Sequence, residues 1–125
     1  MESTYLIFPM VLSDNQFKQI SDVISNLSKM SFNKLTSLPI GSHDIIYYLA
    51  KAIIDLEEVI RNKNSRGYRY NSYILNLAAL KLSFIAELIE KKYLHSLINE
   101  HLTIMHSINL LKQILSDSYQ QQKED

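Results

Sequence analysis

The stretch SHDIIYYLAKAIIDLEEVI, residues 42–60, decides the fold class. Ile46, Leu49, Ile53, Leu56 and Ile60 recur at three- and four-residue spacing, which stacks them on one face of an α-helix. Tyr47, Ala50 and Ile54 widen that stripe on one flank, and Ile45, Ala52 and Val59 widen it on the other. Asp44, Lys51, Asp55 and Glu58, with Glu57 beside them, leave only a narrow polar edge. Ser42 is an N-cap by type, its hydroxyl suited to accept a free backbone N–H, and Asp44 in the first turn complements the helix dipole. A helix apolar over so much of its circumference lies centrally in a core or is covered by another chain.

Upstream, Ser13 and Gln16 have the spacing of a capping box. Phe17, Ile20, Val23, Ile24, Leu27 and Met30 follow at helical spacing, which predicts a helix to about Ser31. Pro39 and Gly41 mark residues 31–42 as a connector, with Leu35, Leu38 and Ile40 tucked onto the core. Downstream of a polar loop, Arg61 to Asn71, a third helix starts near Ser72. Ile74, Leu77, Ala78, Phe84, Ile85 and Leu88 lie on it, with Leu75, Leu80, Leu82 and Ile89 on its other sides. Asn76, Ser83, Glu87 and Glu90 form its polar line, with Lys81 apart. A break around Lys91 to Ser96 has no Pro or Gly to enforce it, so residues 72–118 read as one helix or two. Leu97, His101, Ile104, Ile108, Leu111 and Leu115 then form the seam of a last helical segment.

The chain has 125 residues, enough for one domain. Its 2 glycines and 2 prolines are too few for the frequent turns of a many-stranded fold, and 46% hydrophobic content excludes a disordered chain. The expectation is an all-α, single-domain antiparallel bundle of three to four helices, preceded by a short extended N-terminal segment. The domain spans residues 1–118, and the polar, glutamine-rich residues 119–125 form a frayed tail. Thirteen basic residues balance 13 acidic ones, which excludes a chain-wide basic nucleic-acid coat.

With 0 cysteines there is no disulfide framework, thiolate nucleophile or Cys-based zinc site. The apolar N-terminus lacks a basic region and a small-residue cleavage site, and Glu2 is its nearest charge. Asn76, Lys81 and Glu87 interrupt the longest apolar stretch and argue against a membrane span. These features favour a cytoplasmic chain without a membrane partner. The bias toward Ile, Lys, Asn, Ser and Tyr is that of an AT-rich gene, which hints at a bacterial or phage accessory gene.

A search for chemistry finds none. His101 and His106 point about 140° apart on a helix, while His95 and His106 share a face roughly 16 Å apart, so no histidine pair chelates a metal. His43 reads as a surface residue and His101 as a hydrogen-bonded core residue. No paired Glu-x-x-His motif exists for a di-metal bundle, and glycines at 41 and 67 alone build no phosphate-binding loop. No nucleophile, base and orienting group come together, which reads as a non-enzyme with no cofactor and no metal.

One segment stands out by composition. Residues 61–73 hold every arginine of the chain, one lysine, three tyrosines and no acid. Arg gives a planar donor fork and Tyr a stiff amphipathic surface, so Arg61, Lys63, Arg66, Tyr68, Arg69, Tyr70 and Tyr73 are the candidate partner-binding residues. The competing reading is a solvated loop whose tyrosines fold back on the bundle. The alternative partner-facing edges are acidic: Asp44, Asp55 and Glu58, or Glu87 and Glu90.

Small size, no catalytic set, excess apolar helix surface and one Arg/Tyr-rich segment lead to a protein-binding module. Its expected form is an inhibitor of a cognate protein, of the immunity-protein or antitoxin type, acting by surface occlusion on a toxin or nuclease. An apolar helix face would also serve a homo-oligomer. The alternatives are an RNA-binding helical module using residues 61–73, or a structural subunit of a larger assembly.

Overall fold

Ser13 closes the first helix at its start from two directions. Its hydroxyl accepts from the Gln16 N–H at 3.1 Å, and its own N–H donates to the Gln16 side chain at 2.9 Å. This capping box satisfies two donors that the helix itself leaves free, as the sequence predicts. The structure, a computed structural model, describes residues 8–30, 35 and 43–124, with side chains described for all but residues 66 and 121–124. Helix α1 runs Asp14–Ser28 and buries Phe17, Ile20, Val23 and Leu27, ending about one turn short of the expected Ser31. Leu35 of the connector is fully buried. Leu38, Ile40 and the expected cap Ser42 lie outside the described residues.

Helix α2, His43–Arg61, differs from expectation in which line of its apolar surface points inward. Ile45, Leu49, Ala52, Leu56 and Val59 are buried, while Ile46, Ile53 and Ile60 are half-buried. Leu49 and Leu56 of the expected stripe are thus buried together with the expected flank Ile45, Ala52 and Val59, and the stripe's isoleucines lie at the edge of the buried surface. Two neighbours cause this rotation. Ile60 shares a cleft with Ile24 of α1, while Tyr48 and Asp55, on the opposite flank, meet the next long helix.

The expected loop after α2 is wound into two 3-10 helices, Asn62–Asn64 and Arg66–Tyr70. Helix α3 follows at Asn71–Leu88 and buries residues over a wide arc, from Asn71 and Ser72 through Ile74, Leu75, Ala78 and Leu82 to Ile85 and Ala86. The open question over residues 72–118 resolves as two helices. A π-helical turn at Ile89–Tyr93 widens the end of α3, and the Tyr93 carbonyl accepts from the N–H groups of Ser96 and Leu97 at 3.0 and 2.9 Å. Neither Pro nor Gly is needed, because these bonds satisfy the turn's backbone and buried Leu97 pins it to the core.

Helix α4 runs Ile98–Glu124 and takes in residues 119–124 of the expected tail. Ser118 is buried and the Tyr119 ring meets the Phe8 ring edge-on, centroids 5.4 Å apart. That anchor lies beyond the seam legible in the sequence. Residues 8–13 form no helix and no strand; Met10 and Leu12 point into the core and Val11 points out.

The architecture is the expected all-α bundle, of four helices among the described residues. Helix α1 packs on α2 and α4, and α3 packs on α2 and α4, so α1 and α3 are diagonal partners in a ring of four. Tyr48 meets Phe84 while Asp55 meets Lys81, which makes α2 and α3 antiparallel. Each buried Leu or Ile contributes about 1.5–3 kcal/mol relative to exposure. In such a ring every helix keeps one outward side, and the chemistry of those sides decides what the bundle can bind.

Candidate functional site

The Arg/Tyr-rich segment is held rigid by Asn62. Its side-chain amide donates to the Gly67 carbonyl at 3.2 Å and to the Asn71 side-chain oxygen at 3.1 Å. The Ser65 hydroxyl accepts from the Gly67 N–H at 3.2 Å, tightening the turn between the two 3-10 helices. A Cβ on Gly67 would fall 2.6 Å from Asn62 Cγ, so a side chain there would have to displace this amide. The knot fixes the segment without using any of its arginines or tyrosines.

The candidate residues then divide. Lys63 is exposed; it pairs with the solvated Asp14 of α1 at 3.1 Å and lies over the Phe17 ring, 5.2 Å from the centroid. Tyr68 is half-buried and lines a cleft with Met10, Leu12 and Phe17, the fold-back expected of a solvated loop's tyrosines. Arg61, Arg69, Tyr70 and Tyr73 are exposed, and the Arg66 side chain lies outside the described residues. Of the exposed candidates, Arg61 ends α2, while Arg69, Tyr70 and Tyr73 gather around the start of α3.

The residues of the acidic alternatives differ in what they touch. Asp55 is turned toward α3, where its carboxylate pairs with Lys81 and both side chains are mostly covered. Glu90 bonds to the His101 ring at 2.8 Å, which ties the end of α3 to the start of α4 and gives this seam histidine the partner a packed imidazole needs. Glu87 is exposed and pairs with Lys91 one turn away at 3.2 Å, a contact of little energetic weight. Asp44 and Glu58 remain exposed, near opposite ends of α2.

The outward side of α3 is the feature that sequence reasoning did not isolate. Tyr73, Leu77, Leu80 and Phe84 follow one another at steps of four, three and four residues, a straight ridge on one face of the helix. Tyr73, Leu80 and Phe84 are 45%, 49% and 42% exposed, and Leu77 is half-buried. No charged residue interrupts the ridge over its length of about 16 Å. At its far end Phe84 meets Tyr48 at 4.9 Å and Tyr48 meets Tyr47 at 5.3 Å, both edge-on, so three rings form one cluster. At its near end stand the exposed Arg69 and Tyr70. The spacing was available in the sequence, but a second seam on the same helix, Leu75, Ala78, Leu82 and Ile85, masks it.

Other features have less structure. A cleft of 370 Å³ between α3 and α4 is lined by Phe8, Leu80, Leu115 and Tyr119, with Ser83 and Lys112 at its polar side. Among the described residues no three His, Asp or Glu side chains gather as a metal site would require. The stretch Gly67–Tyr93, of hydropathy 1.5, is long and apolar enough to cross a membrane by length and composition, yet half of its most apolar window is buried in the bundle. A core helix gives the same signature, and Lys81 at its middle is paired with Asp55.

Comparison with known protein families, with curated proteins and with solved structures finds no match.

Proposed function

We propose that this chain is a protein-binding module whose contact surface is the outward face of α3. The uncharged ridge from Tyr73 to Phe84 carries this reading, because aromatic and aliphatic side chains aligned on one exposed helix face are what protein interfaces bury at their centres. Arg69 and Tyr70 add, at the rim, residue types that anchor interfaces. In its specific form the module is an inhibitor of the immunity-protein or antitoxin type, cytoplasmic and bacterial, which covers the working surface of a cognate protein. Such an inhibitor needs complementary surface and no catalytic group.

The RNA-binding reading has weaker support. Lys63 pairs with Asp14 and the half-buried Tyr68 lines a cleft with Met10 and Phe17, which leaves Tyr70 as the exposed ring between residues 61 and 70 for a base to stack on.

The test is a photo-crosslinking amino acid at position 80, with position 57 on α2 as the control, introduced in the cells that carry the chain. A protein adduct at 80, resistant to nuclease and absent at 57, is the expected result. Adducts lost on nuclease treatment, or no protein adduct at 80, overturn the proposal.

A further inference from the structure

The ridge on α3 is self-complementary when read in both directions. Continued one step toward the end of α3, the spacing runs Tyr73, Leu77, Leu80, Phe84, Glu87, alternating like the seam positions of a coiled coil, and the 3-10 helix that ends at Tyr70 adjoins its start. Laid antiparallel on a copy of itself, the ridge sets Leu77 against Leu80, Tyr73 against Phe84, and Glu87 against the Arg69–Tyr70 end. Each of these pairings occurs twice, as an isologous contact demands. The ends are opposite in charge, since Arg69 is exposed in the 3-10 helix just before α3 and the Glu87 side chain is 62% exposed near the end of α3. A parallel pairing would place arginine on arginine and glutamate on glutamate.

From this register we infer that the first occupant of the α3 face is a second copy of the chain, docked antiparallel about a two-fold axis between Leu77 and Leu80. The inference rests on the proposed role of α3 as a contact surface and names its partner. The incoming Tyr73 meets a preformed cluster of Phe84, Tyr48 and Tyr47. The Glu87–Lys91 pair, solvated in the single chain, is readily exchanged for Arg69 of the other copy. The interface is one helix face wide, at the small end of specific interfaces, so association falls in the micromolar range. A cognate protein that binds the same ridge competes with the second copy.

Light scattering on the purified chain across the micromolar range is expected to show about twice the 14.5 kDa mass of one chain. Leu80→Glu gives a monomer of unchanged helical content. Should that variant fail to fold, the exposed charges supply the second arm: Glu87→Arg and Arg69→Glu each weaken the dimer by about tenfold, and the double variant recovers it. The register is read with cysteines, since the chain has none: a short bismaleimide joins Tyr73→Cys to Phe84→Cys protein in a mixture and joins neither to itself. A monomer at every concentration, or a dimer indifferent to Leu80→Glu and to both charge changes, overturns the inference. If the purified chain stays monomeric while position 80 crosslinks a different protein in cells, the second copy is wrong and the protein-binding reading stands. If it stays monomeric and position 80 captures no protein, both fall.

Discussion

Phe8 and Ser72, 64 positions apart, exchange two hydrogen bonds through one hydroxyl. The Phe8 N–H donates to Ser72 Oγ and Ser72 Oγ donates to the Phe8 carbonyl, each at 3.0 Å. The serine is fully buried in the first turn of α3, so this clamp ties the N-terminal segment to the helix that also carries the outward ridge. It holds the Phe8 ring against Tyr119 of α4, joining three parts of the chain at one end of the bundle.

Ser72→Ala removes the partner of both main-chain groups of Phe8. Leaving such groups unpaired costs about 1–3 kcal/mol, and urea unfolding followed by circular dichroism is expected to show a loss of that size. A change below a few tenths would mean that water replaces the hydroxyl at no cost.

Asp55 and Lys81 cross-link α2 to α3 with both side chains mostly covered. Removing either charge alone strands the other, so Asp55→Asn and Lys81→Met are each expected to destabilise by about 1–3 kcal/mol, with the double variant losing less than the sum. Additive losses in the four-way comparison would show that the pair is not coupled.

Gly67→Ala drives a methyl group into the Asn62 amide, which three polar partners hold in place. A loss of about 1 kcal/mol is expected, and it should vanish when Asn62 is already alanine, because the obstacle is then gone. The same loss in both backgrounds would locate the glycine requirement elsewhere.

The protein-binding reading predicts no useful affinity for single-stranded RNA. In a fluorescence titration at low salt, the chain and its Arg61→Ala/Arg69→Ala variant should behave alike. Binding that falls steeply with salt and disappears in the variant would put RNA recognition in its place.

Local chemistry made part of this legible from residues alone. The Ser13–Gln16 capping box and the buried line of α1 were readable because every partner lies within one or two turns. Scarce Gly and Pro, with apolar residues at three- and four-residue spacing, was enough to specify an all-α bundle, since that pattern buries nothing unless it is helical. The composition of residues 61–73 also marked the start of α3 as unusual, although the contacts of Lys63 with Asp14 and of Tyr68 with its cleft were not legible there.

Only the tertiary structure decided which side of each apolar helix faces inward. On α2 the centre of burial moved toward Ile45, Ala52 and Val59 because α1 and α3 approach from opposite flanks, and nothing local to α2 encodes where its neighbours stand. On α3 two apolar seams compete, and packing against α2 and α4 buries Leu75, Ala78, Leu82 and Ile85 and leaves Tyr73, Leu80 and Phe84 outside. The pairs Phe8–Ser72, Asp55–Lys81 and Glu90–His101 belong to the same class. Spacing along a chain fixes what shares a face of one helix, but the choice between faces is made by the total apolar area that four helices can bury together.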